Sequence, residues 1–439
     1  MPRPFSFLHT GDLHLDTPFA GLAGSAPDAI SARLRDATLG AWDRIVGLAI
    51  DRRVDFVVVA GDVFEAETRT LRGQLAFADG LERLSAHGIP GAVVTGNHDP
   101  LSGWEASVTW PGTARRFGPD VEAVPIVKDG QELARVYGIS YAQKAETRDL
   151  AARFRRDADT SFAIGLLHGT VGISDRHERY APTTEQTLVS SGMDYWALGH
   201  IHARRVVRPA KPMVVYPGNP QGRDPGEASA KGVALVTVDA DGRPVVEFVD
   251  TDVVRWVVIS VDCASLTTMT DLRSELRSSL LRERGAAGRS IVARITLRGF
   301  GAMHDELRRR GVADDLLRAL REDHPVDADP FIWLESLHDE TRSDAETAYA
   351  RGGDFIAELD GLVQATLATL PAAAPGIEGS NGGAPHEPLA LASIAAELYG
   401  DPRFRQAADD DDHIPVPPLE QILDEARTAV LDRLRATGG

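Results

Sequence analysis

Five short segments of this chain set oxygen and nitrogen donors beside glycine: Gly11-Asp12-Leu13-His14, Gly61-Asp62, Gly96-Asn97-His98-Asp99, His168-Gly169 and Gly199-His200-Ile201-His202. Together they offer carboxylates, an amide oxygen and several imidazoles. The Asp-x-His and His-x-His pairs place both side chains on one side of an extended segment, as a shared cation requires. The glycines let the backbone turn sharply and approach an ion closely. Cys263 is the only cysteine, which excludes a disulfide scaffold and a Cys-based zinc site. The donor set therefore fits Mn²⁺, Fe or Zn²⁺. It exceeds the needs of one four-coordinate ion and suits a two-metal site, with ions ~3.5–4 Å apart.

Such donors must be delivered to one place, and the surrounding pattern shows how. Residues 5–9, 54–60 and 92–95 read as strands, separated by helical spacing over 29–50 and 71–87. Leu34, Ala41, Ile45 and Leu48 share one face of the first helix. Leu75, Ala78, Leu81 and Leu84 share one face of the second, which Gly88 would cap. Strand–helix alternation implies parallel pairing with right-handed crossovers. Further strands are expected at 133–139, 163–167 and 195–198, so four of the five segments directly follow a strand. In an α/β sheet the strand C-termini gather along one edge, where ligands bind. Strands at 214–216, 232–238 and 245–249 follow in quick succession, predicting antiparallel pairing with a turn at Ala240-Asp241-Gly242. A second α+β unit reads strand 257–261, helix 271–284, strand 290–297, helix 303–310 and strand 331–335.

The chain has 439 residues, of which 43 % are hydrophobic, enough to exclude a disordered polypeptide and to predict two or three domains. No stretch approaches ~20 uninterrupted apolar residues, and the N-terminus lacks an apolar signal region, so a soluble cytoplasmic protein with no membrane association is expected. The net charge of −18 is uneven: residues 330–439 alone carry −13, including Asp409–Asp412. The body is close to neutral, and a polyanionic substrate is not excluded there. A helix is expected over 341–371, a Pro/Gly/Ala linker over 372–388 and two short helices in an acidic tail over 389–439.

The five segments resemble the calcineurin-like metallophosphoesterases, whose pattern is D-x-H, G-D, G-N-H-D/E, H, G-H-x-H. More narrowly, LHTGDLHLDTPF and TRTLRGQLAF resemble the YhaO branch of SbcD-type DNA repair exonucleases. The resemblance covers about residues 5–250 and extends toward 335. It implies an α/β fold of two packed mixed β-sheets flanked by helices over 1–251, a small α+β capping, DNA-binding domain over 252–340, and a helical C-terminal tail. It implies that Asp12, His14 and His202 hold one divalent metal ion, that Asn97, His168 and His200 hold another, and that Asp62 bridges both, most simply with Mn²⁺. His98 would face the scissile phosphate and Asp99 would orient His98. The implied activity is two-metal hydrolysis of the DNA backbone, in partnership with an SMC-like coiled-coil ATPase, with the helices at 29–50 and 71–87 pairing in a homodimer. The acidic tail is the expected docking element for the ATPase. After Gly-Asp-Val-Phe this chain carries Glu65, where archaeal and eukaryotic relatives often have histidine, and an anionic side chain there would repel phosphate.

Other polar residues have plainer readings. His9 reads as a packing or supporting residue, Asp16 as a cap or ion-pair partner, Asn219 as a turn residue beside Pro217 and Gly218, and Cys263 as a small hydrophobe. Arg223 and His177 are candidates for substrate phosphate contact, although His177 and Arg179 also read as solvated loop. Arg308, Arg309 and Arg310 read as a solvated helix face or as nucleic-acid contacts. The rival function on this scaffold is hydrolysis of small nucleotides or phosphoproteins, against which the extra module after residue 252 speaks.

Overall fold

The computed structural model describes residues 3–17, 19, 26–65, 70–103, 108–172 and 180–342. The expected helix over 341–371 (beyond its first two residues), the linker, the acidic tail, His177 and Arg179 lie outside them.

Two six-stranded mixed sheets and one three-stranded sheet make up the described chain. The first half supplies β1 (Phe5–Thr10), α1 (Asp28–Asp51), β2 (Phe56–Ala60), α2 (Leu71–Ala86), β3 (Gly91–Val94) and β4 (Ala114–Arg116). There follow β5 (Glu122–Lys128), β6 (Gln131–Gly138), β7 (Ala163–His168), α3 (Glu185–Ser190), β8 (Tyr195–Gly199), β9 (Arg205–Arg208) and β10 (Met213–Tyr216). The next two strands, β11 (Gly232–Val238) and β12 (Pro244–Asp250), form a hairpin. The third sheet comprises β13 (Val254–Asp262), β14 (Ser290–Arg298) and β15 (Ile332–Asp339), with α4 (Met269–Ala287), α5 (Met303–Leu307) and α6 (Val312–Glu322) between them.

In the first sheet the order is β12-β11-β1-β2-β3-β4, and β1 to β4 run parallel. In the second the order is β5-β6-β7-β8-β10-β9, and β6, β7, β8 and β10 run parallel. Alternate residues of both sheets interdigitate: Phe7, Phe56, Val58 and Val94 from one face meet Val136, Ile164, Leu166 and Tyr195 from the other. This period-2 burial keeps the C-terminal ends of β1, β2, β3, β7 and β8 together. The outer face of the first sheet is covered by α1 and α2 through Trp42, Ile45, Val46, Phe77, Leu81 and Leu84.

The expected α/β architecture with its extra α+β module is observed, and three local expectations are corrected. Residues 214–216 do not join the 232–238 strand; β10 pairs with β8 and β9 in the second sheet, because its buried Val215 belongs to the core between sheets. Leu75 is 46 % exposed, since Phe77 and Gln74 occupy the buried face of α2 in its place. The expected helix over 303–310 is shorter and is followed by α6, which Gly311 at φ 83° separates from it.

Helix α1 has a second duty. Its C-terminal half covers the first sheet, while Ile30, Leu34 and Ala37 near its start pack on Val254, Trp256, Val292, Phe331 and Trp333 of the third sheet and its flanks. Arg33 donates to the carbonyls of Val326 (3.2 Å) and Ala328 (2.7 Å). One helix thus joins the third sheet to the body that carries the glycine-flanked donors. Leu34→Ala should lower unfolding stability by about 2–5 kcal/mol, the range for a buried leucine that leaves a cavity. A loss below about 1 kcal/mol in urea melts would contradict this packing, given the same range.

Candidate metal centre

All five donor segments begin at the C-terminal end of a strand or just beyond it. The loops after β1 and β2 run side by side: Asp12 N–H donates to the Gly61 carbonyl (2.9 Å), and His14 N–H to the Asp62 carbonyl (3.1 Å). Asp12, His14, Asp62 and His200 all have positive φ (52°, 42°, 50° and 99°), a region L-residues enter at a cost of about 1–3 kcal/mol each. Four donor-bearing residues held in that region mark a site whose side-chain directions outweigh backbone comfort.

The imidazoles are aimed from behind. His168 is fully buried, and its Nδ1–H donates to the Ala60 carbonyl (2.8 Å), leaving Nε2 to face Asp62 Oδ2 (3.1 Å) and Asn97 Oδ1 (3.0 Å). His14 Nδ1 lies 3.1 Å from Glu65 Oε2, and His202 Nδ1 is held by Glu227. With each Nδ1 turned to a carboxylate, the two Nε2 atoms face one another across 3.3 Å. Donor atoms of Asp12, His14 and His202 lie within 4.8 Å of one another, as do those of Asp12, Asp62 and His168, and of His14, Glu65 and His98. The Asp12 carboxylate also accepts from His200 N–H (2.9 and 3.1 Å), and the His200 ring lies 5.2 Å from that of His168. Carboxylate, amide and imidazole groups packed this closely inside a buried site need positive charge among them, from protons or from cations. A set of carboxylate, amide and imidazole donors of this kind fits divalent cations.

Charge in the site follows the same logic. Burial, assisted by the charge of Arg223, pushes the His14 imidazole down to about 3, so it is a neutral donor. Burial alone would also lower His168, but the Asp62 and Asp12 carboxylates lift it to about 9, a proton standing where a cation fits. Burial opposes the charge of Asp62 as well, yet the charge and hydrogen bond of His168 hold its carboxyl well below the usual range. Asp99 is lifted to about 6 by burial and by the Asp62 charge.

The expectation that Asp99 orients His98 is corrected. The Asp99 carboxylate accepts backbone N–H bonds from Gly96 (2.7 Å), Val63 (2.8 Å) and Asp62 (3.2 Å), and so staples the loops after β2 and β3. His98 Nδ1 is held by Glu65, and His98 N–H donates to Asp62 Oδ1 (2.9 Å). Glu65 is therefore committed to His14 and His98, with Arg223 Nη1 3.7 Å away. An anion so engaged does not stand free to repel a phosphate, and it favours a protonated His98 against the cost of burial. With 34 % of its side chain exposed, His98 is more open than His14 (1 %) or His168 (0 %).

The remaining candidates separate. Arg223 reaches the rim, and its Nε has no partner among the described residues. His9 is a packing residue, bonded to the Tyr195 hydroxyl (3.0 Å) and the Leu198 carbonyl (3.1 Å). Asp16 accepts from Thr70 (2.6 Å) and Arg72 (3.1 Å). Arg308, Arg309 and Arg310 are exposed, and Arg309 pairs with Glu306 (3.2 Å). Asn219 does more than turn the chain, since its Nδ2 donates to Glu227 (2.8 Å). Glu227 and Lys231, whose ammonium donates to the His202 carbonyl (2.9 Å), were not legible in the sequence, where neither stands beside a donor segment.

This fold and this site define a metallophosphoesterase. A family model described as calcineurin-like phosphoesterase matches residues 5–204, and one described as the middle domain of metallophosphoesterase YhaO matches residues 256–342. The chain is 38 % identical over 348 residues to the uncharacterized metallophosphoesterase YhaO of Bacillus subtilis strain 168, covering 79 % of this chain and 84 % of that one. It is 28 % identical over 238 residues to the DNA double-strand break repair protein Mre11 of Haloferax volcanii, covering 53 % of this chain and 49 % of that one. To the SbcD component of the nuclease SbcCD of B. subtilis it is 25 % identical over 273 residues (54 % and 66 %). The chain belongs to the calcineurin-like metallophosphoesterases, enzymes that bind divalent metals and hydrolyse phosphoesters.

Glycine is required where these loops meet. A Cβ on Gly96 would lie 2.7 Å from His168 Cδ2 and would collide with Asp62 Oδ1. Gly96→Ala should therefore weaken Mn²⁺ binding by about 10–100-fold, the range for disturbed ligand support. Isothermal titration of metal-stripped protein checks this, and unchanged affinity would contradict the geometry.

Proposed function

We propose that this chain is a two-metal phosphodiesterase that cuts the DNA backbone as an exonuclease or endonuclease in double-strand-break repair. The observation that carries the reading is the convergence of metal-ligating side chains: His14 and His202 Nε2 at 3.3 Å, and His168 Nε2 against Asp62 and Asn97 at 3.1 and 3.0 Å. Asp12, His14 and His202 would hold one ion, Asn97, His168 and His200 the other, and Asp62 would serve both. Nitrogen and oxygen donors without thiolate favour Mn²⁺, with Fe or Zn²⁺ as alternatives. When bound, two such cations supply Lewis acidity toward the phosphate and lower the pKa of coordinated water.

The chain's own residues do the rest. His98, held through Nδ1 by Glu65 and partly exposed, donates a proton from its other nitrogen to the leaving oxygen. Arg223 offers its guanidinium to a substrate phosphate oxygen. Similarity to an Mre11 and to an SbcD supports DNA as substrate and an SMC-like coiled-coil ATPase as partner. The division into a phosphoesterase domain over 1–251 and a capping, DNA-binding domain over 252–340 belongs to the same reading, as does cytoplasmic location. No helix among the described residues is long and apolar enough to cross a membrane. Leu71 and Leu75, 53 % and 46 % exposed on α2, support a homodimer through that helix. Mn²⁺-dependent degradation of linear duplex DNA, compared with hydrolysis of a small chromogenic diester, tests the proposal. Turnover of the diester alone would favour a small-molecule phosphodiesterase.

Two substitutions separate the roles. Asp62→Asn should abolish nearly all activity and release at least one metal per chain, measured by elemental analysis. His98→Ala should keep both metals while turnover falls by a factor of about 10²–10⁴. Metal loss in the His98 variant would make it a ligand and contradict its placement.

A further inference from the structure

The segment between β10 and β11 touches both the donor cluster and the third sheet. At one end it surrounds His202: Glu227 holds the His202 Nδ1, Lys231 Nζ donates to the His202 carbonyl (2.9 Å), and Asn219 N–H reaches the same carbonyl (3.3 Å). Glu227 is itself gripped, accepting from Asn219 Nδ2 (2.8 Å) and Arg223 N–H (2.7 Å). Gly218, at φ 78°, lets the chain pass so close that a Cβ would sit 2.8 Å from the His202 carbonyl oxygen.

At the other end the segment is sewn to the start of β13. Gln221 is 2 % exposed, and its amide acts as a substitute strand partner. Its Oε1 accepts from Val253 N–H (2.7 Å) and Val254 N–H (3.2 Å), while its Nε2 donates to the Val254 carbonyl (2.6 Å). Ser229 N–H donates to the Trp256 carbonyl (2.9 Å), and Thr251 Oγ1 to the Pro220 carbonyl (3.3 Å). Trp256 in turn packs with α1 and Trp333. Residues 218–231 thus run without a break from His202 to the third sheet, with mutually bonded side chains at both ends.

We propose that this segment is a positioning clamp, through which the seating of the third sheet sets the affinity of the metal site containing His202. Glu227 is the positioning residue for His202, and Gln221 ties it to β13. The inference rests on the two-metal reading, and it needs no assumption about the substrate. Gln221 bonds to none of the proposed metal ligands, so a loss confined to one site in a Gln221 variant would have to travel through the clamp.

The test uses the full chain, stripped of metal and titrated calorimetrically with Mn²⁺, with amide exchange followed over residues 252–256. Glu227→Ala should weaken one of two sites by about 10–100-fold, the range for lost ligand support, and leave the other as it was. Glu227→Gln, which keeps an oxygen to accept from Nδ1, should lose less. Gln221→Ala should weaken the same single site several-fold and raise exchange over 252–256. Gln221→Glu keeps the acceptor and loses the donor, and it serves if the alanine variant fails to fold. Parental affinity at both sites in the Gln221 variants, with exchange raised, would overturn the coupling. Equal weakening of both sites, together with a lower melting temperature of the metal-free protein, would reduce the clamp to a structural support and also overturn it. A parent chain that binds fewer than two Mn²⁺ would instead contradict the two-metal reading.

Discussion

Asp12, Asp62, Asn97 and the imidazoles of His14, His168 and His202 crowd ligand atoms and carboxylate charge into one buried space, and that crowding needs positive charge within it. In the metal-free chain the proton on His168, between Asp62 and Asn97, supplies part of it. The arrangement around these groups holds them where cations can take over that role. Each imidazole is aimed by an acceptor behind it: the Ala60 carbonyl for His168, Glu65 for His14, Glu227 for His202. The Asp99 carboxylate gathers three backbone N–H groups and locks the loops that carry Asp62 and Asn97. Left-handed backbone at Asp12, His14, Asp62 and His200 is tolerated because the surrounding sheets over-determine it.

The sheets make that possible by elementary means. Alternation of side chains along β1, β2, β3, β7 and β8 buries one face of each sheet against the other. Parallel pairing then brings their C-terminal ends to a common edge, and glycines at or just beyond those ends allow the close approach. The third sheet is attached through the N-terminal half of α1 and through the 218–231 segment, so the body and the added module share one helix and one loop rather than a flexible tether.

Much of this is legible in the chain. The five donor segments stand out because unusual residue types recur after apolar runs, and the periods of those runs give the strand and helix order nearly throughout. What is not legible is partnership between residues distant in sequence. Asp99 stands next to His98, and adjacency suggests a pair, yet a β3-to-loop turn sends its carboxylate to backbone N–H groups. Glu65, expected to repel the substrate, turns out to hold His98 and His14, which only the proximity of the β1, β2 and β3 loops decides. Glu227 and Gln221 sit in a stretch that reads as loop, and tertiary contact alone gives them their duties. Likewise, residues 214–216 are apolar enough for either sheet, and the choice depends on Val215 filling the core between sheets.

Two cations sharing Asp62 are what this donor set is proposed to hold. Anomalous scattering from crystals soaked in Mn²⁺ would locate them. Two peaks about 3.5–4 Å apart are expected, one among Asp12, His14 and His202, the other among Asn97, His168 and His200, with the Asp62 carboxylate touching both. A single peak, or one seated between His14, Glu65 and His98, would contradict the proposal.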